Sequence, residues 1–367
     1  MGRALELAER ALGWCSPNPA VGAVLVRDDE IVGEGWTHAP GDAHAEVAAL
    51  RIAGPRAAGA TLYVTLEPCS HHGRTPPCTD ALIAAGVGEV HAAMRDPSPW
   101  VDGGGVRALE AAGISVTVGE READATRLNE GYFIWVRTHS PFVTLKYAMT
   151  ADGKIATRTG SSFWVTGIEA RRYVARLRSQ VDAVMVGVGT IEADDPQLTA
   201  RPGEFGEVVV GPVHQPLRVV MDSEARISPT AKVVAGGLPG DTLVCTTERA
   251  PVERVHELER RGVEVALLPS SAGRVDVCAT LSELGNRGVT SVLAECGGEL
   301  GWSLVSAGAV DKVLAFVAPK LVGGAKALTP IEGEGRPRMD SAWDLENPRW
   351  VSMGRDILLE GYLPRAS

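Results

Sequence analysis

The chain has 367 residues, 45% of them hydrophobic and 22% charged, with a formal net charge of −10. That is the composition of a soluble globular protein, and the length suggests two domains. No apolar run approaches the ~18–20 residues that span a bilayer. With charges at Arg3, Glu6, Glu9 and Arg10 no secretory signal is expected, and the acidic balance argues against a nucleic-acid binder.

Taken in chain order, the first residues form a short amphipathic helix with Leu5, Ala8 and Leu12 on one face. Apolar runs at 21–26 and 31–36 flank Asp28-Asp29-Glu30 and predict a hairpin. A helix over 45–53, a strand over 61–66, a helix over 79–85 and a strand over 90–94 follow, then helix 105–112 and strand 114–118. Strands separated by helices imply an α/β layer fold with a largely parallel sheet beyond the hairpin. A polar stretch at Thr138-His139-Ser140-Pro141 marks the expected boundary between domains 1–140 and 141–367. Beyond it, strand 142–148, helix 169–178, strands 183–187, 217–221 and 242–245, helix 252–261 and strand 263–267 alternate again. Strand 291–295, helix 300–307, strand 313–317 and two strands at 350–355 and 357–362 complete the chain. Segment 201–212, rich in Gly, Pro and Glu, reads as a surface loop.

Six cysteines are too sparse for a disulfide scaffold, so reduced thiols and a cytoplasmic location are expected. Cys69 and Cys78 stand close together, and His44-Ala45-Glu46 opens a helix upstream. One His and two Cys suit Zn²⁺, and three protein ligands leave a fourth position for water, the mark of a catalytic site. Cys78 opens its helix, where the dipole favours thiolate. Zinc brings its water near neutrality, and Glu46 is placed to shuttle protons without ligating. This is the H-x-E…P-C…C pattern of zinc nucleobase deaminases, with eight residues rather than two between the cysteines. Positions i and i+2 share no helix face, so His44 and Glu46 must use an irregular first turn. The competing reading is a structural Cys₂His₂ site with His71 or His72 as fourth ligand. In the second half, Gly297-Gly298 stands between a strand and a helix, a junction suited to anion binding. The run Arg171, Arg172, Arg176 and Arg178 is either a phosphate grip or a solvated helix face. Asp194-Asp195-Pro196 reads on its own as a turn.

The stretch Pro68-Cys69-Ser70-His71-His72-Gly73-Arg74-Thr75-Pro76-Pro77-Cys78 closely resembles the motif of the bifunctional riboflavin-biosynthesis deaminase–reductase family. So do Asn18-Pro19-Ala20-Val21-Gly22, the run 186–199 from Val186-Gly187 to Leu198-Thr199, Glu295-Cys296-Gly297-Gly298, and Ala318-Pro319-Lys320 with the residues to Gly324. The resemblance implies a cytidine-deaminase-like N-terminal domain and a dihydrofolate-reductase-like C-terminal domain. The first would hydrolyse the 2-amino group of a diaminopyrimidinone carrying a phosphoribosylamino arm. The second would use NADPH to reduce the ribosyl group to ribityl. Asn18, His71, Arg74 and Thr75 match substrate positions of the first domain. Ser162, Arg178, Leu198, Arg201 and Glu295 match those of the second, with Arg178 and Arg201 suited to a ribose 5-phosphate. Lys146 and Asp194 match the reacting centre, and Asp194 also a cofactor position. Ala148, Trp164, Thr190, Ser223, Gly297 and Gly298 match further cofactor positions; Arg226, just past Ser223, is expected at the 2′-phosphate from its place in the chain alone. Two departures stand out: Ser98 and Cys296 occupy positions where the family often has Asn and Gly. Cysteine at 296 would be strained if its φ were positive. The expected partners are the small-molecule substrate and further copies of this chain, with no nucleic acid and no membrane. The alternative is a deaminase whose C-terminal domain is silent and serves assembly.

Overall fold

The computed structural model describes residues 1–73, 75–98, 101, 103–206 and 213–364. They divide into two compact units, Met1–His139 and Ser140–Ser367.

The first unit comprises α1 (Gly2–Glu9), β1 (Gly22–Arg27), β2 (Glu30–Trp36), α2 (Ala45–Ala53), β3 (Thr61–Val64), α3 (Cys78–Ala84), β4 (Glu89–Ala92), α4 (Gly104–Ala111), β5 (Ser115–Val118), α5 (Glu122–Leu128) and α6 (Glu130–Thr138). Its five strands run in the order β2-β1-β3-β4-β5. Asp28 and Asp29 both take positive φ (52° and 62°), the two-residue turn whose twist matches the β1–β2 hairpin. From β3 onward the pairing is parallel, with helices as crossovers. Leu25, Leu62, Val64, Leu82, Val90 and Leu109 are fully buried between sheet and helices. α2 lies so close on β2 that a Cβ at Gly33 would sit 2.3 Å from the Ala49 carbonyl oxygen, and one at Gly35 2.2 Å from that of Ala45. α4 presses equally hard on the Pro68 carbonyl, 1.9 Å from a Cβ at Gly105. Helices α5 and α6 are absent from the sequence expectation. Each buries only one or two apolar side chains (Ala125; Phe133 and Val136), too few to leave a periodic signal.

The second unit comprises β6 (Phe142–Thr150), α7 (Ile168–Arg178), β7 (Ala183–Gly187), α8 (Val188–Asp194), β8 (Leu217–Met221), β9 (Thr242–Thr246), α9 (Val252–Arg260), β10 (Glu264–Leu267), the short pair β11 (Ser270–Ser271) and β12 (Arg274–Val275), α10 (Val277–Asn286), β13 (Ser291–Ala294), α11 (Gly298–Ser306), β14 (Lys312–Ala318), β15 (Glu346–Met353) and β16 (Asp356–Tyr362). Helix α10 also went unpredicted. The nine-stranded sheet runs β10-β9-β8-β7-β13-β6-β14-β16-β15, parallel as far as β14 and antiparallel at the last two strands. Alternate residues feed opposite faces: Met185, Val219 and Leu243 one core, Val184, Val220 and Val244 the other. Both faces are covered, so β7 is apolar along its whole length and β9 is buried along its whole length. The chain winds outward from β6 through β7 to β10, then returns to insert β13 between β7 and β6. That reversal opens a crevice at the carboxyl ends of β6, β7 and β13. The fold class is α/β in both units, with a mixed sheet in the second of the dihydrofolate-reductase-like kind. Among the described residues no helix is long and apolar enough to cross a membrane.

Candidate active sites

In the first unit the site is built at two helix starts. His44 is the residue before α2 and has an extended backbone (φ −67°, ψ 163°), so its ring is freed from the helix periodicity while Glu46 lies in the first turn. That resolves the i, i+2 conflict. Cys78 begins α3, and the Cys69 carbonyl accepts from the backbone N–H and the hydroxyl of Thr79 (3.2 and 3.3 Å), which draws the long 69–78 loop back on itself. His44 Nδ1 lies 3.6 Å from Cys69 Sγ and 3.3 Å from Cys78 Sγ. All three donor atoms fall within 4.8 Å of one another, a set whose number and softness fit zinc with one position left open. The opposite ring nitrogen, Nε2, faces Thr75 Oγ1 at 3.2 Å. With Nδ1 on a metal, Nε2–H donates to Thr75, which fixes the ring's tautomer and tilt. His71 and His72 are exposed and outside the cluster.

The Cys78 thiol and then His44 hydrogen-bond to Cys69, and together they hold its pKa well below that of a free thiol against the cost of burial. Glu46 is 4% exposed, and burial followed by the Cys69 charge pushes its carboxyl up to about 7. A carboxyl poised near neutrality is what proton transfer requires. Asn18 is half-buried in the loop before β1, and Arg74 lies outside the described residues.

Three residues that sequence reasoning missed support this site. Asn129 accepts from the Ala20 N–H (2.8 Å) and donates to the Ala20 carbonyl (3.0 Å), anchoring the Asn18-Pro19-Ala20 loop from 109 residues away. Buried Glu67 accepts from the N–H groups of Asp96 (3.3 Å) and Val106 (3.0 Å), tying two distant segments to the Cys69 loop. Tyr132 donates to Asp96 at 3.3–3.4 Å and also meets the Ser98 hydroxyl. Ser98 is thus a buried member of a closed network rather than an exposed gap. Only Glu67 carried a sequence signal, its place beside Pro68-Cys69.

In the second unit a cavity of about 1110 Å³ opens at the strand ends. Lys146 and Ala148 of β6, Arg178 of α7, Thr190 and Asp194 of α8, Ser223 after β8 and Glu295, Gly297 and Gly298 after β13 all line it. So do Ser162, Trp164, Leu198, Arg201 and Arg226. Space is open above Gly189 and Gly297, where an added Cβ would meet nothing within 4 Å, as backbone cradling a phosphate demands. Volume and cradle both fit a dinucleotide.

Lys146 and Asp194 have different partners: Lys146 Nζ lies 3.4 Å from Glu295, while Asp194 accepts from Ser162 at 2.9 Å. Arg178 is committed to Glu295, and Arg201 to Glu204 at 3.1 Å, so either guanidinium must release a carboxylate to take a phosphate. The Asp194-Asp195-Pro196 turn is present, with Asp195 at φ 39°, and buried Leu198 is held at φ 56°, an unusual value for leucine. Cys296 takes no positive φ, so the strain expected there does not arise. Of the arginine run, Arg171 stacks 4.4 Å over Trp164 and 5.3 Å over Phe205, forming part of the cavity wall. Of the loop expected at 201–212, residues 202–205 form one 3₁₀ turn and 207–212 lie outside the described residues.

Two family models match the chain: the cytidine and deoxycytidylate deaminase zinc-binding region over residues 1–94, and the RibD C-terminal domain over residues 141–359. The chain therefore joins a zinc-type deaminase domain to a reductase-type domain. Among curated proteins, riboflavin biosynthesis protein RibD of Escherichia coli is 43% identical over 91% of this chain and 90% of its own length. That of Synechocystis is 43% identical over 99% and 95%. Among solved structures, Acinetobacter baumannii RibD superposes with a TM-score of 0.86 at 36% identity, over 99% of this chain and 97% of its own. A diaminohydroxyphosphoribosylaminopyrimidine deaminase/5-amino-6-(5-phosphoribosylamino)uracil reductase of Thermotoga maritima gives 0.82 at 35%, with the same coverage. The chain belongs to the RibD family of bifunctional riboflavin-biosynthesis enzymes.

Proposed function

We propose that the first unit removes the 2-amino group of 2,5-diamino-6-(5-phosphoribosylamino)pyrimidin-4(3H)-one by hydrolysis, and that the second reduces the ribosyl group of the product to ribityl with NADPH. The observation that carries this reading is the convergence of His44, Cys69 and Cys78 beside buried Glu46, in a chain whose other unit holds a dinucleotide-sized cavity.

His44, Cys69 and Cys78 would hold the zinc, which supplies a Lewis acid able to activate water near neutral pH. Glu46 takes a proton from the attacking water and returns it to the departing nitrogen, so that a C–O bond forms, the C–N bond breaks and ammonia leaves. Thr75 orients His44. Asn18, His71 and Arg74 bind the pyrimidine and its arm.

In the second unit the sugar ring must open before C1′ can accept hydride. Asp194 takes the proton of the amino nitrogen and Lys146 gives one to the ring oxygen as the C1′–O bond breaks, leaving a C1′=N imine. Hydride arrives at C1′ and the nitrogen recovers its proton. Ser162, Leu198 and Glu295 position the substrate, Arg178 and Arg201 hold its phosphate, and Ala148, Trp164, Thr190, Ser223, Gly297 and Gly298 seat the cofactor. A silent second unit is not favoured, because these side chains share one cavity.

We also infer a homo-oligomer, because the edge strand β15 exposes Trp350 (67%) with Met339 nearby in sequence (89%). A cytoplasmic location agrees with six cysteines, none of which is in a disulfide. The test of function is to supply the diaminopyrimidinone with and without NADPH and identify products by mass. Deaminated product alone without NADPH, and ribityl product with it, is the expected result; unchanged substrate in both arms overturns the reading.

A further inference from the structure

Helix α7 carries Arg171 and Arg178 into the cavity of the second unit. Its Ncap residue, Gly167, has no side chain with which to bind the start of the helix. A carboxylate reaches that end from the last hairpin of the chain instead. Asp356, the first residue of β16, accepts from the Gly167 N–H at 2.6 Å across 189 residues, where the helix dipole favours a negative charge. The fit is close on both sides. A Cβ at Gly167 would lie 3.2 Å from Asp356 Oδ2 and 3.3 Å from Arg355 Cγ, and one at Gly354 would lie 2.7 Å from Glu169 Oε2 in the first turn of α7. Beyond this anchor, Ala170 and Val174 pack on Leu314, Phe316 and Leu358 of β14 and β16.

Asp356 is 1% exposed, and its Oδ1 is buried with no hydrogen-bond partner among the described residues. Burying a carboxylate with one oxygen unpartnered is costly, so stability alone does not account for it. What the contact fixes is position. On one side of Gly167, Trp164, Val165 and Thr166 run along the cavity wall. On the other, Arg178 closes α7 and forks onto Glu295. At the ordinary helical rise Arg178 stands about 16 Å from Gly167 along the axis. A tilt of about 4° about Gly167 therefore moves the Arg178 end by about 1 Å, a misplacement that can cost about 10²-fold in rate. Trp164 has a tether of its own, because Lys320 donates to its carbonyl.

We propose that Asp356 is a positioning residue of the reductase: by holding the Gly167 N–H it sets the axis of α7, and with it the Arg178 guanidinium that grips the substrate's phosphate. This rests on the reductase reading above. The test is steady-state reduction of supplied deaminated product by the full chain, with KM and kcat measured at a temperature where each variant is folded by circular dichroism. Asp356→Ala should raise KM for that substrate about 10–100-fold. KM for NADPH should stay within about threefold, since Lys320 holds the Trp164 side independently. Asp356→Asn keeps an acceptor for the Gly167 N–H and should restore the substrate KM. Leu284→Ala, in α10 at the amino end of β13, should lower Tm and leave both KM values as they are. Deamination should be unchanged in all three. An Asp356→Ala chain that is less stable yet keeps wild-type kinetic constants overturns the proposal while the reductase reading stands. So does a Leu284→Ala chain that raises the substrate KM equally. Should the alanine chain not fold, Asp356→Val, which fills the space without an acceptor, repeats the measurement; failure of both to fold makes Asp356 a folding residue and also overturns the proposal. A wild-type chain that reduces nothing overturns both readings.

Discussion

Arg178 of α7 and Glu295 at the end of β13 are joined by a two-point ion pair, Nε to Oε1 at 2.5 Å and Nη2 to Oε2 at 3.0 Å, across 117 residues of sequence. Lys146 approaches the same carboxylate at 3.4 Å. Two cations on one anion give this cluster a net positive charge, suited to an anionic sugar phosphate. The cost is a carboxylate only 10% exposed. Burial alone would raise its pKa, but Arg178 and then Lys146 outweigh burial and bring it down to about 2.

That pair predicts a pH dependence. A carboxylate whose folded pKa lies below its unfolded value of about 4.3 stabilises the fold above that value, and the contribution fades as pH falls toward 2. Glu295→Gln leaves two partly buried cations uncompensated and should cost about 3–5 kcal/mol at pH 7. The gap between wild type and variant in denaturant unfolding should be full at pH 7 and shrink between about pH 4.5 and 2. A gap that stays constant through that window would contradict the assignment.

One zinc per chain is expected in protein purified without chelator, measured by elemental analysis. Glu46→Gln should keep that zinc yet lose about 10²–10⁴ in deamination rate, the usual effect of removing a general acid/base. Loss of the metal in this variant would make Glu46 a ligand instead.

The two activities should be separable by mutation. Cys69→Ser should abolish deamination while reduction of supplied deaminated product continues; Asp194→Ala should do the reverse, with deaminated product accumulating. Because metal binding is coupled to folding, the Cys69 variant is first checked for solubility and assembly. Loss of both activities in a folded Cys69→Ser protein would refute separate sites.

The deaminase site also rests on a position with no chemistry of its own. A methyl group at Gly35 would meet the Ala45 carbonyl at 2.2 Å, one residue after His44. Gly35→Ala should therefore push α2 off β2, cost about 1–3 kcal/mol and weaken zinc retention against a chelator. An alanine variant that holds zinc as firmly as wild type would show that α2 can shift without carrying His44.

The sequence by itself determined the zinc-ligating set, the two domain types and most of the alternation of strands and helices. Local patterns suffice for that: His44, Glu46, Cys69 and Cys78 are recognisable by type and spacing, and the apolar runs of β6, β7 and β13 by their length. Helices α5 and α6 escaped notice because their buried faces are narrow and their stability comes from the surfaces they cover, whereas α10 buries Val277, Thr280, Leu281 and Leu284 at helical spacing behind the Asp276 cap, a signal the sequence does carry. Only the tertiary structure decided which groups meet. It gave His44 an extended backbone that frees its ring from the helix, and set the Thr75 hydroxyl against the Nε2 of that ring. It assigned Lys146 to Glu295 and Asp194 to Ser162, and brought Asn129 to Ala20 across 109 residues. Such contacts join segments far apart in sequence, and their formation depends on sheet order and helix seating, which no local window of residues encodes.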